Sequence, residues 1–502
     1  MMACLLIKWI SPPRYNATDR PMLFNSFTFM IFLPVVFLLY WFVFRKLRWQ
    51  NLLILVASHV FYGWWDWRFL ILIVITSASS FASGLLIKHY EGRRICQRAV
   101  SAANIVLNLG ILGAFKYFNF FAGSLASLLA TFGLAVDWPT LHIILPVGIS
   151  FYTFQALSYS IDVYARRIEP TRDPIAFFSF ISFFPQLVAG PIERATSLLP
   201  QMLRERSFDY AVAVDGMRQM LWGFFKKLII ADGCAEVVNR LWDGMEGASG
   251  SMLLVASLLF TFQIYADFSG YSDIAIGCAK LFGIRLTTNF RVSYFSRNVR
   301  EFWRRWHITL MNWFTQYVYF PLGGSRRGRA RTILNTVIVF ALSGLWHGAD
   351  WTFVLWGLYH ALLFIPLIIL GRGKEKDTVA HSRMLPSPGE FLSMLVTFVL
   401  INFGWILFRA PDIAGFATFM SHLMSPSLFS VNGLSMQMAQ MLLWCAGLLL
   451  VEWMQREREH VLQIDGYRIF ASQWVRLALY AVLVALIFYF AGKVQTFIYF
   501  QF

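Results

Sequence analysis

The chain has 502 residues, of which 58% are hydrophobic, 18% aromatic and only 14% charged. A soluble domain needs more charge on its surface, so this composition excludes a soluble protein and indicates one that crosses a membrane many times. Basic loops on the cytoplasmic side of the membrane explain the net charge of +16. We therefore expect the protein to contact membrane lipid and not to bind nucleic acid. The five cysteines are scattered singly, which predicts neither a disulfide framework nor a metal site.

Apolar stretches long enough to cross a bilayer recur along the chain with short connections, and we predict about 11–13 membrane segments. The clearest are 27–44, 51–65, 69–87, 99–121, 141–163, 174–192, 252–266, 332–346, 351–370, 391–408, 434–453 and 476–492. The stretches 210–232 and 295–320 are amphipathic, which is typical of segments that lie at an interface or re-enter the membrane.

Pro and Gly interrupt several of these segments, as in Leu145-Pro-Val-Gly148 and Phe184-Pro-Gln-Leu-Val-Ala-Gly-Pro191. Non-helical backbone at membrane depth is tolerated only where protein or a water-filled cavity satisfies its polar groups. The predicted fold is therefore an all-α polytopic membrane protein with broken and re-entrant helices around a central funnel.

Both ends of the chain lie outside these segments. Residues 1–21 are too short and too broken by proline to span a membrane, and we interpret them as an N-terminal extension of a single membrane domain, 22–502. Four arginines between residues 456 and 476 precede the last segment, whereas only Lys493 follows it. The positive-inside rule therefore predicts that the C-terminal tail, 493–502, emerges on the outer side.

Two histidines lie among the predicted segments, His307 in Glu301-Phe-Trp-Arg-Arg-Trp-His307 and His347 in Gly344-Leu-Trp-His-Gly-Ala349. An ionisable group within a membrane segment is a functional-site hypothesis, and imidazole moves protons near neutral pH. Taken alone, each could equally be a helix-packing residue, the role that we assign to His360 and His59.

Six blocks of sequence carry a family resemblance, and they occur in the family's order. They are Leu145-Pro-Val-Gly-Ile-Ser-Phe-Tyr152, Gly223-Phe-Phe-Lys-Lys-Leu-Ile-Ile-Ala-Asp232, Tyr265-Ala-Asp-Phe-Ser-Gly-Tyr-Ser-Asp273, Glu301-Phe-Trp-Arg-Arg-Trp-His307, Gly323-Gly-Ser-Arg-Arg-Gly328 and Gly344-Leu-Trp-His-Gly-Ala349. The chain resembles the bacterial membrane-bound O-acyltransferases over about residues 22–502. The similarity is to the branch with the alginate O-acetyltransferase membrane subunit, and the teichoic-acid D-alanyl transferase subunit is a more distant relative.

The resemblance implies an O-acetyltransferase of the bacterial inner membrane that binds no cofactor. It would take an acetyl group from a cytoplasmic thioester, acetyl-CoA, and pass it to an exported polysaccharide through a separate extracytoplasmic SGNH-type transferase. His347 matches the family's catalytic histidine, and a positioned base of this kind contributes ~10² to 10⁴ in rate. His307 matches the second histidine, which would take part in chemistry, pin a re-entrant segment or line the donor site. A D-alanyl transferase and a non-catalytic transporter are the alternatives.

Charged residues near the histidines suggest further roles. We interpret Arg304, Arg305, Arg326 and Arg327 as donor-binding residues, because guanidinium groups suit phosphates, although topology and lipid headgroup contact would also explain them. For the Asp267 block, with Ser269 and Asp273, no His or Cys joins the carboxylates to make a metal site. We predict that these groups pair with nearby arginines and hold a broken helix.

The chain ends in Phe497-Ile-Tyr-Phe-Gln-Phe502. Aromatic residues at a helix end are ordinary interfacial anchors. The ending is also similar to the Phe-Ile-Tyr motif of the small membrane partner of the D-alanyl transferase, and that resemblance implies that Tyr499 carries the acyl group. A phenol with a pKa near 10 is a better leaving group than an alkyl alcohol, so an acyl-tyrosine would retain transfer potential.

Overall fold

The structure is a computed structural model that describes residues 22–134, 145–188, 190–371, 373, 378–490 and 495–500. Among these residues all regular secondary structure is helical, which confirms the predicted all-α fold. The chain divides into two compact units, and the boundary falls between Phe208 and Asp209. The extension 1–21 lies outside the described residues, and the assignment of 22–502 to one domain stays a prediction.

The first unit is built from α-helices that are separated by short breaks. Its described helices are α1 (Phe27–Leu38), α2 (Leu47–Asp66), α3 (Leu70–His89), α4 (Arg94–Leu112), α5 (Phe118–Thr131), α6 (Ile149–Tyr164), α7 (Pro174–Ser182), α8 (Phe184–Leu187) and α9 (Ala195–Met202). In the first predicted Pro/Gly break, residues 145–148 are non-helical before α6, and in the second, helix α8 ends at Leu187. Gly148 caps α6 with a φ of +73°, and a Cβ there would lie 2.5 Å from the carbonyl oxygen of Leu187, so only glycine fits.

The second unit contains the two candidate histidines. Its described helices are α10 (Tyr210–Phe225), α11 (Asp232–Asp243), α12 (Gly250–Leu281), α13 (Val299–Arg305), α14 (Ile308–Phe314), α15 (Gly328–His347), α16 (Trp351–Ile369), α17 (Pro388–Arg409), α18 (Ile413–Leu423), α19 (Met436–Met454) and α20 (Gln473–Phe490). A π-helical stretch, Lys226–Ala231, joins α10 to α11. The predicted segment 252–266 underestimates α12, which has 32 residues.

Seven helical stretches of the described chain are long and apolar enough to cross a membrane. They are Leu47–His89, Arg94–Thr131, Gly250–Leu281, Trp351–Ile369, Pro388–Arg409, Met436–Met454 and Gln473–Phe490. The protein is therefore a multi-pass membrane protein. The predicted total of 11–13 segments and the central funnel stay predictions.

Helices α10 and α12 pack antiparallel through glycines that let the two backbones meet. A Cβ on Gly277 would lie 2.4 Å from the carbonyl oxygen of Gly216, and one on Gly223 would lie 2.7 Å from that of Gly270. Small residues at a helix interface permit such an approach where lipid offers no hydrophobic drive. The contact brings the π-helical stretch after α10 against the middle of α12, where both predicted carboxylates lie.

The prediction that Asp267 and Asp273 pair with arginines to hold a broken helix is wrong. Helix α12 is unbroken, and the cations are lysines of the π-helical stretch. Lys226 lies 2.6 Å from Asp273, and Lys227 lies 2.7 Å from Asp267. A buried carboxylate needs a partner close enough to offset its desolvation, and the close approach of α10 and α12 supplies it.

Candidate active site

His347 is the last residue of α15, at a tight turn into α16. The two helices form an antiparallel pair in which a Cβ on Gly344 would lie 2.1 Å from the carbonyl oxygen of Phe353. Gly348 follows the histidine, and a Cβ there would lie 2.0 Å from a ring carbon of Phe353. The glycines on either side of the Leu-Trp-His sequence therefore allow the turn to close and fix where His347 stands.

The His347 side chain is buried in a cage of aromatic rings. Its ring centroid lies 5.1 Å from that of Trp356, 5.5 Å from that of Phe408 and 5.0 Å from that of Trp346. Edge-to-face contacts of this kind hold the imidazole orientation and exclude water. A group that can accept a proton is thus enclosed by aromatic side chains.

His307 lies between α13 and α14 with left-handed backbone geometry, at φ 43° and ψ 52°. This conformation is uncommon for a residue with a Cβ, and it persists only where the surroundings impose it. Here the neighbouring main chain does so, because the N–H of Ile308 donates to the carbonyl oxygen of Asn289 at 2.9 Å. The short helices α13 and α14 therefore serve to present one imidazole.

The tautomer of His307 follows from its hydrogen bonds. The side-chain oxygen of Asn289 accepts from the N–H of Thr309 at 3.3 Å and from its hydroxyl at 2.9 Å. That same oxygen lies 3.1 Å from Nδ1 of His307, so Nδ1 carries the proton and Nε2 the lone pair. Burial lowers the pKa of His307 to about 3, which keeps the ring neutral.

The fold brings the two histidines together although forty residues separate them in sequence. Their ring centroids lie 6.5 Å apart. Phe268, from the middle of α12, packs edge-on against His307 at 4.6 Å. The predicted pair is thus one buried site within the second unit.

The C-terminal tail completes this site. Phe497 and Ile498 are buried, and Tyr499 lies with its ring centroid 5.5 Å from that of His347 and 4.5 Å from that of Phe268. The hydroxyl oxygen of Tyr499 is enclosed, and it has no hydrogen-bond partner within the described part of the chain. An interfacial anchor would place the side chains of the tail among lipid headgroups, whereas those of Phe497 and Ile498 are buried against protein.

The four predicted donor-binding arginines do not form one cluster. Arg305 pairs with Glu301 at 2.5 Å, and Arg304 is exposed. Arg326 and Arg327 are exposed at the opposite end of α15 from His347, about 30 Å away along a helix of 20 residues. Any contact that they make with a donor is therefore remote from the histidines.

The two histidines to which we assigned packing roles have structural partners. His360 is fully buried and accepts from the indole N–H of Trp303 at 3.4 Å, in the packing role predicted for it. In the first unit, Nδ1 of His59 lies 2.8 Å from the carbonyl oxygen of Leu55. Among the residues that the structure describes, no group of three His, Cys, Asp or Glu side chains could hold a metal ion.

Sequence reasoning missed two residues that position the site, Asn289 and Lys227. Asn289 fixes the tautomer of His307, yet a single Asn in a connecting segment gives no signal of that role. Lys227 and Asp267 contact the tail, and here a signal existed. Charged residues inside an apolar run have to find partners, and two adjacent lysines in one run require carboxylates in another.

The second unit therefore brings two buried histidines and an enclosed phenol together. These are side-chain types that can serve in acyl transfer. The profile of the membrane-bound O-acyltransferase family matches residues 166–408. A probable alginate O-acetylase of Azotobacter vinelandii is 37% identical over 78% of this chain and 76% of its own length. The corresponding protein of Pseudomonas aeruginosa is 38% identical over 78% and 73% of the two chains. A peptidoglycan O-acetyltransferase of Helicobacter pylori is 30% identical over 96% and 98%.

The chain belongs to the membrane-bound O-acyltransferase family, and it is an acyltransferase. This membership decides against the transporter alternative.

Proposed function

We propose that this acyltransferase passes an acetyl group from acetyl-CoA, at the cytoplasmic face of the bacterial inner membrane, to the outside for O-acetylation of an exported polysaccharide. The names of its relatives support acetyl transfer to a polysaccharide. The observation that carries the mechanism is the enclosed Tyr499 hydroxyl, which lies on a ring beside that of His347 and has no hydrogen-bond partner in the described chain. The ring contact places a candidate nucleophile near a candidate base, and we propose that their hydrogen bond forms when the donor binds.

In the first step, His347 accepts the phenolic proton of Tyr499 as the phenol oxygen attacks the thioester carbonyl carbon. A carbon–oxygen bond forms and the carbon–sulfur bond breaks. The thiolate of coenzyme A leaves and takes the proton from His347, so the histidine ends neutral. A base is required because burial raises the pKa of the Tyr499 phenol above its usual value of 10, with the charge of Asp267 as a second cause.

In the second step, a hydroxyl of an extracytoplasmic SGNH-type transferase attacks the acyl-Tyr499 ester. A bond forms between the acyl carbon and the partner's oxygen, the bond to the phenol oxygen breaks, and the proton of the attacking hydroxyl passes to the phenol oxygen. The partner then acetylates the polysaccharide. A tail on the outer side of the membrane belongs to this proposal, since the partner must reach Tyr499.

In this scheme His307 acts only as an acceptor of a hydrogen bond or a proton. Its proton is held on Nδ1 by Asn289, so Nε2 can accept a hydrogen bond or a proton but cannot donate one to an oxyanion. Arg326 and Arg327, remote from the histidines, would attract the phosphates of the donor by long-range charge without touching the reacting atoms.

The test is acetylation of the C-terminal peptide. The purified full chain is incubated with acetyl-CoA in the absence of the partner, and the peptide is analysed by mass spectrometry. We expect an acetyl group on Tyr499 of the wild type and of His360→Gln, the matched buried histidine, and none in His347→Gln. In cells, His347→Gln should abolish polymer acetylation at a normal protein level.

Near wild-type acetylation in His347→Gln would remove that residue from the chemistry. A D-alanyl adduct formed with a D-alanyl carrier, but no acetyl adduct with acetyl-CoA, would favour the D-alanyl alternative.

A further inference from the structure

An ion cluster lies where α10, α11 and α12 meet. The ammonium of Lys227 lies 2.7 Å from a carboxylate oxygen of Asp267 and 2.8 Å from one of Asp232. The Lys227 and Asp267 side chains are 1% and 4% exposed. Two carboxylates against one ammonium leave an excess negative charge, and a buried carboxylate needs a further hydrogen-bond donor.

The C-terminal tail supplies that donor. The main-chain N–H of Ile498 donates to the second carboxylate oxygen of Asp267 at 2.8 Å, and Lys227 donates to the carbonyl oxygen of Gln495 at 3.4 Å. Between these two contacts the ring of Phe497 packs against that of Tyr271, with centroids 4.5 Å apart. The cluster therefore holds the tail by its backbone immediately before Tyr499.

The neighbouring ion pair offers a comparison. Lys226 and Asp273 also join the π-helical stretch to α12, at 2.6 Å. Within the described chain their hydrogen bonds go to Ser269 and Gln219, which lie on α12 and α10. This pair is complete without the tail, whereas the Asp267 carboxylate is completed by it. Holding the helices together therefore does not explain the contact with the tail.

We propose that Lys227 and Asp267 form a latch that docks the C-terminal tail and sets Tyr499 beside His347. The latch residues are positioning residues, because they act on Tyr499 through the backbone of the tail. Holding the tail raises the fraction of time that Tyr499 spends at the base, and releasing it lets an acylated tyrosine leave. This role rests on the proposed function of Tyr499 as the acyl carrier.

Two kinds of variant test the latch in the full chain. Asp267→Asn keeps the shape but removes the charge, and Ile498→Pro removes the donating N–H without changing any residue of the helices. Asp273→Asn is the matched control, because it alters the neighbouring ion pair only. Loss of a hydrogen bond to a charged group shifts an equilibrium by roughly 10- to 100-fold.

The first readout is trimming by a carboxypeptidase, followed by intact mass. We expect removal of Tyr499 to accelerate by about 10- to 100-fold in Asp267→Asn and Ile498→Pro, and to match the wild type in Asp273→Asn. A general loss of fold would not spare the control, and Ile498→Pro leaves the ion cluster intact. Equal trimming of all four proteins would overturn the latch.

The second readout is single-turnover acetylation of Tyr499 at saturating acetyl-CoA. We expect both latch variants to slow this step by the factor found in trimming, with the KM for acetyl-CoA unchanged. Tyr499 acetylation at equal rates in all proteins would refute the latch and leave the relay standing. Latch-dependent trimming with no Tyr499 acetylation in the wild type would refute the relay and support docking.

Discussion

Replacing Tyr499 by Phe removes one oxygen atom and should change stability and activity in opposite directions. The ring keeps its packing, because its contacts with Phe268, His347 and Phe497 involve the aromatic face and edges. The hydroxyl that is lost is enclosed and makes no hydrogen bond within the described chain. The substitution therefore tests the nucleophile without disturbing the shape of the site.

The magnitude follows from the cost of an unsatisfied polar group. Leaving a buried hydroxyl without a partner costs about 1–3 kcal/mol, so Tyr499→Phe should stabilise the docked tail by up to that amount. Tyr265 is the matched control, since its hydroxyl donates to the Glu452 carboxylate at 2.8 Å. Tyr265→Phe should lower the free energy of unfolding by about 1.5–3 kcal/mol, because the hydrogen bond that is lost goes to a carboxylate.

The assay measures tail docking and catalysis on the same preparations. Carboxypeptidase trimming reports docking, thermal unfolding in detergent reports the Tyr265→Phe control, and acetylation of the exported polymer in cells reports activity. Tyr499→Phe should be trimmed no faster than the wild type and should acetylate no polymer. Retained polymer acetylation would refute the relay, and faster trimming would show that the hydroxyl has a stabilising partner.

Two other substitutions probe the site from further away. Below pH 6.5 the neutral His307 takes up a proton when the protein unfolds. The free energy of unfolding should therefore fall by about 1.4 kcal/mol per pH unit from about pH 6.5 towards 3. His307→Gln should lack this contribution when chemical unfolding is compared at pH 7 and pH 5. An equal dependence of the unfolding free energy on pH in the wild type and in His307→Gln would contradict a buried neutral His307 ring. Gly277→Ala places a Cβ 2.4 Å from the carbonyl oxygen of Gly216, so we expect a loss of about 1–3 kcal/mol and slower acetylation of Tyr499. Gly447→Ala, which has open space around it, should show neither effect in the same assays.

Hydropathy predicts several helices of this chain well, but it also predicted a break in α12, which is unbroken. The segments 351–370 and 391–408 correspond to helices Trp351–Ile369 and Pro388–Arg409. A long apolar run can be recognised from the sequence without knowledge of tertiary contacts. The segment 252–266 falls short of α12, whose second half carries Asp267, Ser269 and Asp273. Polar residues end an apolar window, yet a helix continues through them when a neighbouring helix satisfies them.

The candidate site divides in the same way. His347, His307 and Tyr499 are recognisable because each stands in a short motif of chemically unusual residues. The contacts that place them are not, since Asn289 lies 18 residues from His307 and Asp267 lies 231 residues from Ile498. The prediction of an arginine partner for Asp267 was wrong for the same reason. Sequence shows that a buried carboxylate needs a cation, but only the glycine contact between α10 and α12 decides which one.

A covalently attached carrier suits a transfer between two sides of a membrane. The donor and the final acceptor need not occupy the site together, and the attached tail replaces a bimolecular encounter by an internal motion. The leaving groups also become poorer along the proposed sequence, from a thiol with a pKa of about 8.5 to a phenol at about 10 and then to an alkyl alcohol. The second transfer, from a phenol ester to an alkyl ester, therefore runs downhill. A serine in place of Tyr499 would form an alkyl ester at the first step and leave no such difference for the second, which is why we expect a tyrosine beside His347.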